Sequence, residues 1–130
     1  MQRLVLLAIN LIGGVAVLGS YAVGIGDHPG QVALLWGDIP EGVRGVYTAN
    51  MFPAAVGYLV ALAYLLTAPV SRLNLTGRPA LPRLSTVYAT FLVSSTMWMP
   101  LCWHALDSRD AGLLPLIQGV LAVAGIASVA

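Results

Sequence analysis

The chain has 130 residues, of which 58% are hydrophobic and only 8% are charged, and its net charge is +1. Soluble domains carry about 25% charged residues, so a soluble fold of this length could not bury so much apolar surface, and lipid is the solvent that would accept it. The six basic residues are spread along the chain and form no basic patch, which argues against nucleic acid as a partner. The single Cys102 excludes an intramolecular disulfide.

Four stretches without Asp, Glu, Lys or Arg divide the chain, at residues 4–26, 45–71, 84–106 and 111–130. A helix needs about 20 apolar residues to cross the roughly 30 Å hydrocarbon layer of a bilayer. The sequence therefore predicts an all-α integral membrane protein, a four-helix transmembrane bundle with helices at about 4–26, 45–68, 84–106 and 111–130. Residues 1–130 then form one transmembrane domain. A cleaved signal peptide is the alternative for the first stretch, although the apolar part of such peptides usually has only 7–15 residues.

The charged residues between these stretches predict the orientation of the bundle. One side of a four-span chain carries four arginines and no acidic residue, namely Arg3, Arg72, Arg78 and Arg83. The other side carries Arg44 and Arg109 together with all five acidic residues. The positive-inside rule predicts that the first side is cytoplasmic, with both termini there. All basic residues are arginine, as in GC-rich bacterial genomes, so we expect the inner membrane of a bacterium.

No Asp, Glu, Lys or Arg lies inside any predicted span. Ionisable residues within a membrane usually mark ion paths and proton relays, so the sequence argues against a pump that works through a buried carboxylate. Ser94, Ser95 and Cys102 have His104 as the only base nearby in the sequence, and no third group orients it. We therefore expect a protein without catalytic activity.

Polar side chains are concentrated in the predicted outer half of the spans. An unpaired amide in hydrocarbon costs several kcal/mol, so Asn50 and Gln118 must face protein, water or a ligand. Interhelical hydrogen bonds are one interpretation, and a ligand pocket that opens outward is the other. The candidate ligand-binding residues are Tyr21, Asn50, Ser95, Thr96, Trp98, His104 and Gln118.

The outer end of the third span combines tryptophan with possible metal ligands. Trp98 and Trp103 are expected as anchors in the membrane interface, where indole rings settle. Cys102 and His104, with His28 on the same side, could bind copper, or the two histidines could be axial ligands of a haem. His104 and Asp107 are three residues apart on a helix, at a spacing that allows them to pair.

Small residues recur at four-residue spacing on the first span, at Ala16, Ser20 and Gly24, and such faces let helices approach closely in lipid. With no catalytic group and no buried charge, we expect an accessory or structural subunit of a larger membrane complex, whose partners are lipid and other membrane subunits. The alternative is a module that binds or transports a small apolar molecule, such as a lipid, a quinone or a pigment. Haem or copper binding is a more remote alternative.

Overall fold

A computed structural model of the protein describes residues 1–69 and 80–129, and the described chain is all-helical, without strands. The described residues contain four α-helices, which is the number predicted from the gaps between charges. Arg72 and Arg78 of the predicted inner link lie outside the described residues. The helices are α1 (Gln2–Asp27), α2 (Glu41–Thr67), α3 (Ala80–Ser108) and α4 (Leu114–Val129), with short 3-10 helices at Val32–Trp36 and Ala111–Leu113.

Prolines, a left-handed residue and an aspartate mark where α3 and α4 begin or end, in addition to the gaps between charged residues. Pro82 and Pro115 lie in the first turns of α3 and α4, where a missing backbone N–H breaks no helical hydrogen bond. α3 ends at Ser108, and the next residue, Arg109, adopts a left-handed conformation with φ 53°. The carboxylate of Asp110 then accepts a hydrogen bond of 2.8 Å from the backbone N–H of Gly112 and starts the turn into α4.

Three helical segments are long and apolar enough to cross a membrane, namely Gln2–Asp27, Glu41–Thr67 and Ala111–Val129. α3, predicted as a fourth span, is not among them. It carries most of the serines and threonines of the described helices, and several bond to carbonyls one turn earlier, as Ser94 does to Thr90 and Thr96 to Leu92, both at 2.8 Å. α3 can carry these polar groups because it packs against both α1 and α4 and so lies between them.

The helices are not arranged in chain order. α1 packs closely on α3 and α3 on α4, whereas α2 contacts α1 only sparsely. No residue of α2 is buried. At one end of the bundle, Leu6, Ala68 and Leu81 form a small buried cluster, and the guanidinium of Arg3 donates a hydrogen bond to the Ala68 carbonyl. This end therefore ties the region around α2 to the other helices.

Two glycines on α1 form the contact with α3. A Cβ atom placed on Gly13 would lie 2.8 Å from Cβ of Leu92, and one on Gly24 would lie 2.8 Å from Cγ of Met99. Both distances are shorter than real side chains allow, so only glycine permits this separation of the helices. Of the small residues predicted to let another helix approach α1 closely, Gly24 does so, whereas Ala16 is exposed.

We expect Gly13→Ala to destabilise the bundle by about 1–3 kcal/mol, because its methyl group overlaps Leu92 and forces α1 and α3 apart. Gly14→Ala is the matched control, since nothing lies within 4 Å of a Cβ atom at Gly14. Thermal unfolding in detergent, followed by circular dichroism, measures the difference. Equal melting temperatures for the two variants would contradict the close contact.

Candidate functional site

A cavity of about 560 Å³ lies between α2, α3 and α4, at the end of the bundle that carries Arg3 and Arg83. Its walls are almost entirely apolar, apart from a few hydroxyl groups. We call it the tyrosine cavity. It is lined by Ala54, Gly57, Tyr58, Ala61, Tyr64, Leu65, Leu84, Val87, Tyr88, Phe91, Ala127 and Ser128.

A buried polar pair lies behind the tyrosine cavity and links α2 to α1. Asn10 is 7% exposed, and its side-chain N–H donates a hydrogen bond of 2.7 Å to the Leu6 carbonyl on its own helix. The hydroxyl of Tyr58 donates a hydrogen bond to the side-chain oxygen of Asn10. Both groups of the amide are therefore bonded, as an amide in apolar surroundings requires.

Aromatic rings continue from this pair into the cavity. The ring of Tyr58 lies 5.5 Å from the ring of Tyr88 and 6.0 Å from that of Phe91, and both pairs are tilted. These separations fall in the range that aromatic pairs prefer. The cavity is also lined by Gly57 and Ala61, on the same helix as Tyr58, and their small size leaves the volume open.

Sequence reasoning missed this site, because Asn10 and Tyr58 were not among the candidate residues. A signal was present, since Asn10 is the one amide in the first uncharged stretch. If α1 ends and α2 begins at the same end of the bundle, Asn10 and Tyr58 lie at similar distances from that end. An amide and a phenol at matching heights on consecutive helices are candidates for a hydrogen bond.

The candidate ligand-binding residues from the sequence lie elsewhere, and none of them lines the tyrosine cavity. Asn50 and Gln118 are exposed, and the Asn50 amide donates to the Val46 carbonyl of its own helix at 2.8 Å. Tyr21 and Trp98 do lie together, with ring centroids 5.7 Å apart.

Thr96 lines a separate apolar groove of about 530 Å³ between α1 and α3, Ser95 is half-buried, and His104 is exposed. That the seven predicted side chains form a single ligand pocket therefore stays a prediction.

A second polar arrangement lies at the opposite end of the bundle, around His28. Its ring stacks on the ring of Trp103 at 3.9 Å with an angle of 2° between the planes. Its Nδ1 lies 2.9 Å from the Gly24 carbonyl, and its Nε2 lies 3.2 Å from a carboxylate oxygen of Asp107. The side chain thus joins the end of α1 to the end of α3.

These contacts correct two expectations from the sequence. Trp103, expected as an anchor in the membrane interface, is only 4% exposed, because Gly24 leaves room for its indole ring against α1. Asp107 bonds to His28, 79 residues away in the chain, rather than to His104 on its own helix. The fold brings His28 over the end of α3, which spacing along one helix could not reveal.

The described residues offer little support for the metal hypotheses. Among them, no group of three or more His, Cys, Asp or Glu side chains is placed to hold a metal ion. Both ring nitrogens of His28 already contact oxygen atoms, whereas Cys102 is half-buried and His104 is exposed. Binding of copper or haem through His28, Cys102 and His104 stays a prediction, and the described residues do not bring these three side chains together as ligands.

The surroundings of His28 favour its charged form. The hydrogen bond to the Gly24 carbonyl raises the pKa of His28 above its ordinary value, and the hydrogen bond and charge of Asp107 raise it further. The charge of Asp27 acts in the same direction, while partial burial opposes it. A pKa that is higher in the folded state means that protonation stabilises the folded state.

Comparison of the chain with protein-family models, with curated proteins and with solved structures finds no match. Functional inference therefore rests on the geometry of the cavity and of the helices.

We expect Asn10→Leu to destabilise the bundle by about 1 kcal/mol, because Tyr58 loses its acceptor and α2 loses a link to α1. Asn50→Leu is the matched control, since its amide bonds only within α2. Chemical unfolding in mixed micelles measures both. A larger loss of stability for Asn50→Leu would show that Asn50, and not Asn10, holds the helices together.

We expect the bundle to be more stable at about pH 6 than at about pH 8. The contribution of His28 is fully present below the ordinary histidine pKa of about 6.5, and it is lost as the pH rises through the higher value of the folded state. Melting temperatures across this range provide the measurement. His28→Gln should flatten the profile and His104→Gln should not, and the reverse result would place the titration at His104.

Proposed function

We propose that the chain is a multi-pass membrane protein that binds a small apolar molecule in the tyrosine cavity. The cavity itself carries this proposal. Ligand pockets in proteins have volumes of roughly 300–1,000 Å³ and combine apolar and aromatic walls with a few polar groups. A volume of about 560 Å³ with three tyrosines and one phenylalanine in its wall fits that description.

The exposed surface supports a membrane environment. Large apolar side chains cover the outer faces of α1 and α2, and Leu18 and Phe52 are 73% and 71% exposed. Only seven hydrophobic residues of the described chain are buried. In water such a surface would drive aggregation, whereas in a bilayer it meets the solvent that it suits.

The placement of charges supports an orientation for this membrane protein. Arg3 and Arg83 lie at the end of the bundle nearest the tyrosine cavity, and Asp27, Glu41 and Asp107 lie toward the other end. The positive-inside rule places the arginine end in the cytoplasm, so both termini and the cavity belong to the cytoplasmic half of the membrane. For a bacterial chain this membrane is the inner one. The proposed pocket thus faces inward rather than outward.

An accessory role in a larger membrane complex is the second candidate function. The observation that favours it is the exposure of α2, which buries no residue although it is 27 residues long. In this proposal another membrane subunit packs on α2 and supplies the contacts that this chain does not. Lipid alone covers α2 if the chain acts by itself.

Native mass spectrometry of the protein, extracted from its own membranes in mild detergent, separates the two candidates. A monomer or small homo-oligomer that retains a compound of small mass supports the binding function. Release of other protein subunits from the particle, without such a compound, supports the accessory function.

We expect Gly57→Leu to weaken retention of the bound molecule by at least about tenfold, which corresponds to about 1.4 kcal/mol. Nothing lies within 4 Å of a Cβ atom at Gly57, so a leucine there extends into the cavity without a clash. Gly45→Leu is the matched control, because Gly45 lies on the same helix, is equally unobstructed and does not line the cavity. Unchanged retention in Gly57→Leu, with normal melting, would contradict the proposed site.

A further inference from the structure

We infer that the molecule bound in the tyrosine cavity is a quinone-class compound, that is, a planar ring with a carbonyl oxygen and an apolar tail. This inference rests on the proposed binding function and adds the chemistry by which the site would select its ligand. It follows from the hydrogen bonding of two tyrosine hydroxyls and from the apolar residues that line the rest of the cavity.

Tyr58 and Tyr88, whose rings pack against each other in the wall of the cavity, differ in the hydrogen bonds of their hydroxyls. The hydroxyl proton of Tyr58 is directed to Asn10, so this hydroxyl cannot also donate to a ligand. The side chain of Tyr88 also lines the cavity, and none of the hydrogen bonds among the described residues involves its hydroxyl. In apolar surroundings an unbonded hydroxyl costs about 1–3 kcal/mol. Tyr88 is therefore a donor that a ligand oxygen can satisfy.

A carbonyl oxygen suits this position better than a hydroxyl or a charged group. A carbonyl only accepts hydrogen bonds, and Tyr88 supplies a donor. An ionised ligand would need a counter-charge, and the lining of the cavity contains no charged side chain. The group that the site selects is thus neutral and accepts one hydrogen bond.

The rings around Tyr88 favour a planar molecule. The rings of Tyr88 and Phe91 lie 5.5 Å and 6.0 Å from the ring of Tyr58, and planar rings pack on such surfaces in stacked or tilted geometries. On α2 the wall includes Ala54, Gly57 and Ala61, whose small side chains leave apolar space in the cavity. A saturated or isoprenoid tail fits against these three residues, which carry no polar side-chain group.

The experiment compares two probes with the same tail in the purified protein, decylubiquinone and decylbenzene. Only the first carries carbonyl oxygens, and both carry a ring and the same tail. Bound molecules are counted by native mass spectrometry of the wild type, of Tyr88→Phe and of Tyr47→Phe. Tyr47 is the matched control, because it lies on α2 outside the cavity and packs against Trp36.

We expect the wild type and Tyr47→Phe to bind decylubiquinone about tenfold more tightly than decylbenzene, as one hydrogen bond to an otherwise unbonded donor provides. Tyr88→Phe should lose this preference while its affinity for decylbenzene stays the same. Tyr88 is the residue to change rather than Tyr58, because Tyr58→Phe would also break the contact with Asn10.

Two results overturn the inference, and they are distinguishable from failure of the proposed function. If the wild type binds both probes equally, or if Tyr88→Phe keeps the preference, the site binds apolar molecules without selecting a carbonyl. If the wild type binds neither probe while Gly57→Leu and wild type retain the same native compounds, the cavity is not a binding site and the proposed function fails with the inference.

Discussion

The close contact of α1 with α3 is the constraint on which the arrangement of the bundle depends. Gly13 and Gly24 lie eleven residues apart, about three helical turns, so both face α3 from the same side of α1. Backbone meets side chain at these two positions, with Leu92 packed on one glycine and Met99 and Trp103 on the other. α3 is thereby held at the centre, and α4 packs on its remaining face.

The tyrosine cavity exists because α2 does not take part in this close packing. Few contacts connect α2 to the other helices, chiefly the hydrogen bond of Tyr58 to Asn10 and the buried cluster around Ala68. Small residues on the side that faces α3 and α4 leave the intervening space unfilled. A helix with larger residues there would close the cavity, as the core of a soluble bundle does.

The sequence predicts the number of helices and their approximate ends, because charged side chains are costly inside an apolar layer and their absence over 20 or more residues is a strong signal. It does not predict which helices are neighbours, since all four are apolar on most sides and any pair could pack. For the same reason it could not choose between Asn10 and Asn50. Both are single amides in apolar stretches, yet one is buried and bonded to Tyr58 and the other bonds only to its own helix.

Local spacing was similarly a poor guide at the other end of the bundle. His104 and Asp107 stand at a helical spacing, but the partner of Asp107 is His28, which approaches only when α1 lies against α3. Side chains that meet across helices are determined by packing, which depends on all the helices together. The sequence therefore did not reveal the candidate site, although it did predict that the chain is all-helical.

The pairing of α1 with α3, rather than with its neighbour α2, has a consequence for how the chain assembles during synthesis. Ribosomes deliver the N-terminal helices first. The first hairpin to emerge, α1 followed by α2, contains few of the contacts that hold the finished bundle together. Gly13 and Gly24 of α1 must wait for at least 75 further residues before their contacts Leu92 and Met99 have been made. Assembly of this small bundle is therefore a non-local and late event, and α1 stands without its main partner until most of the chain has been made.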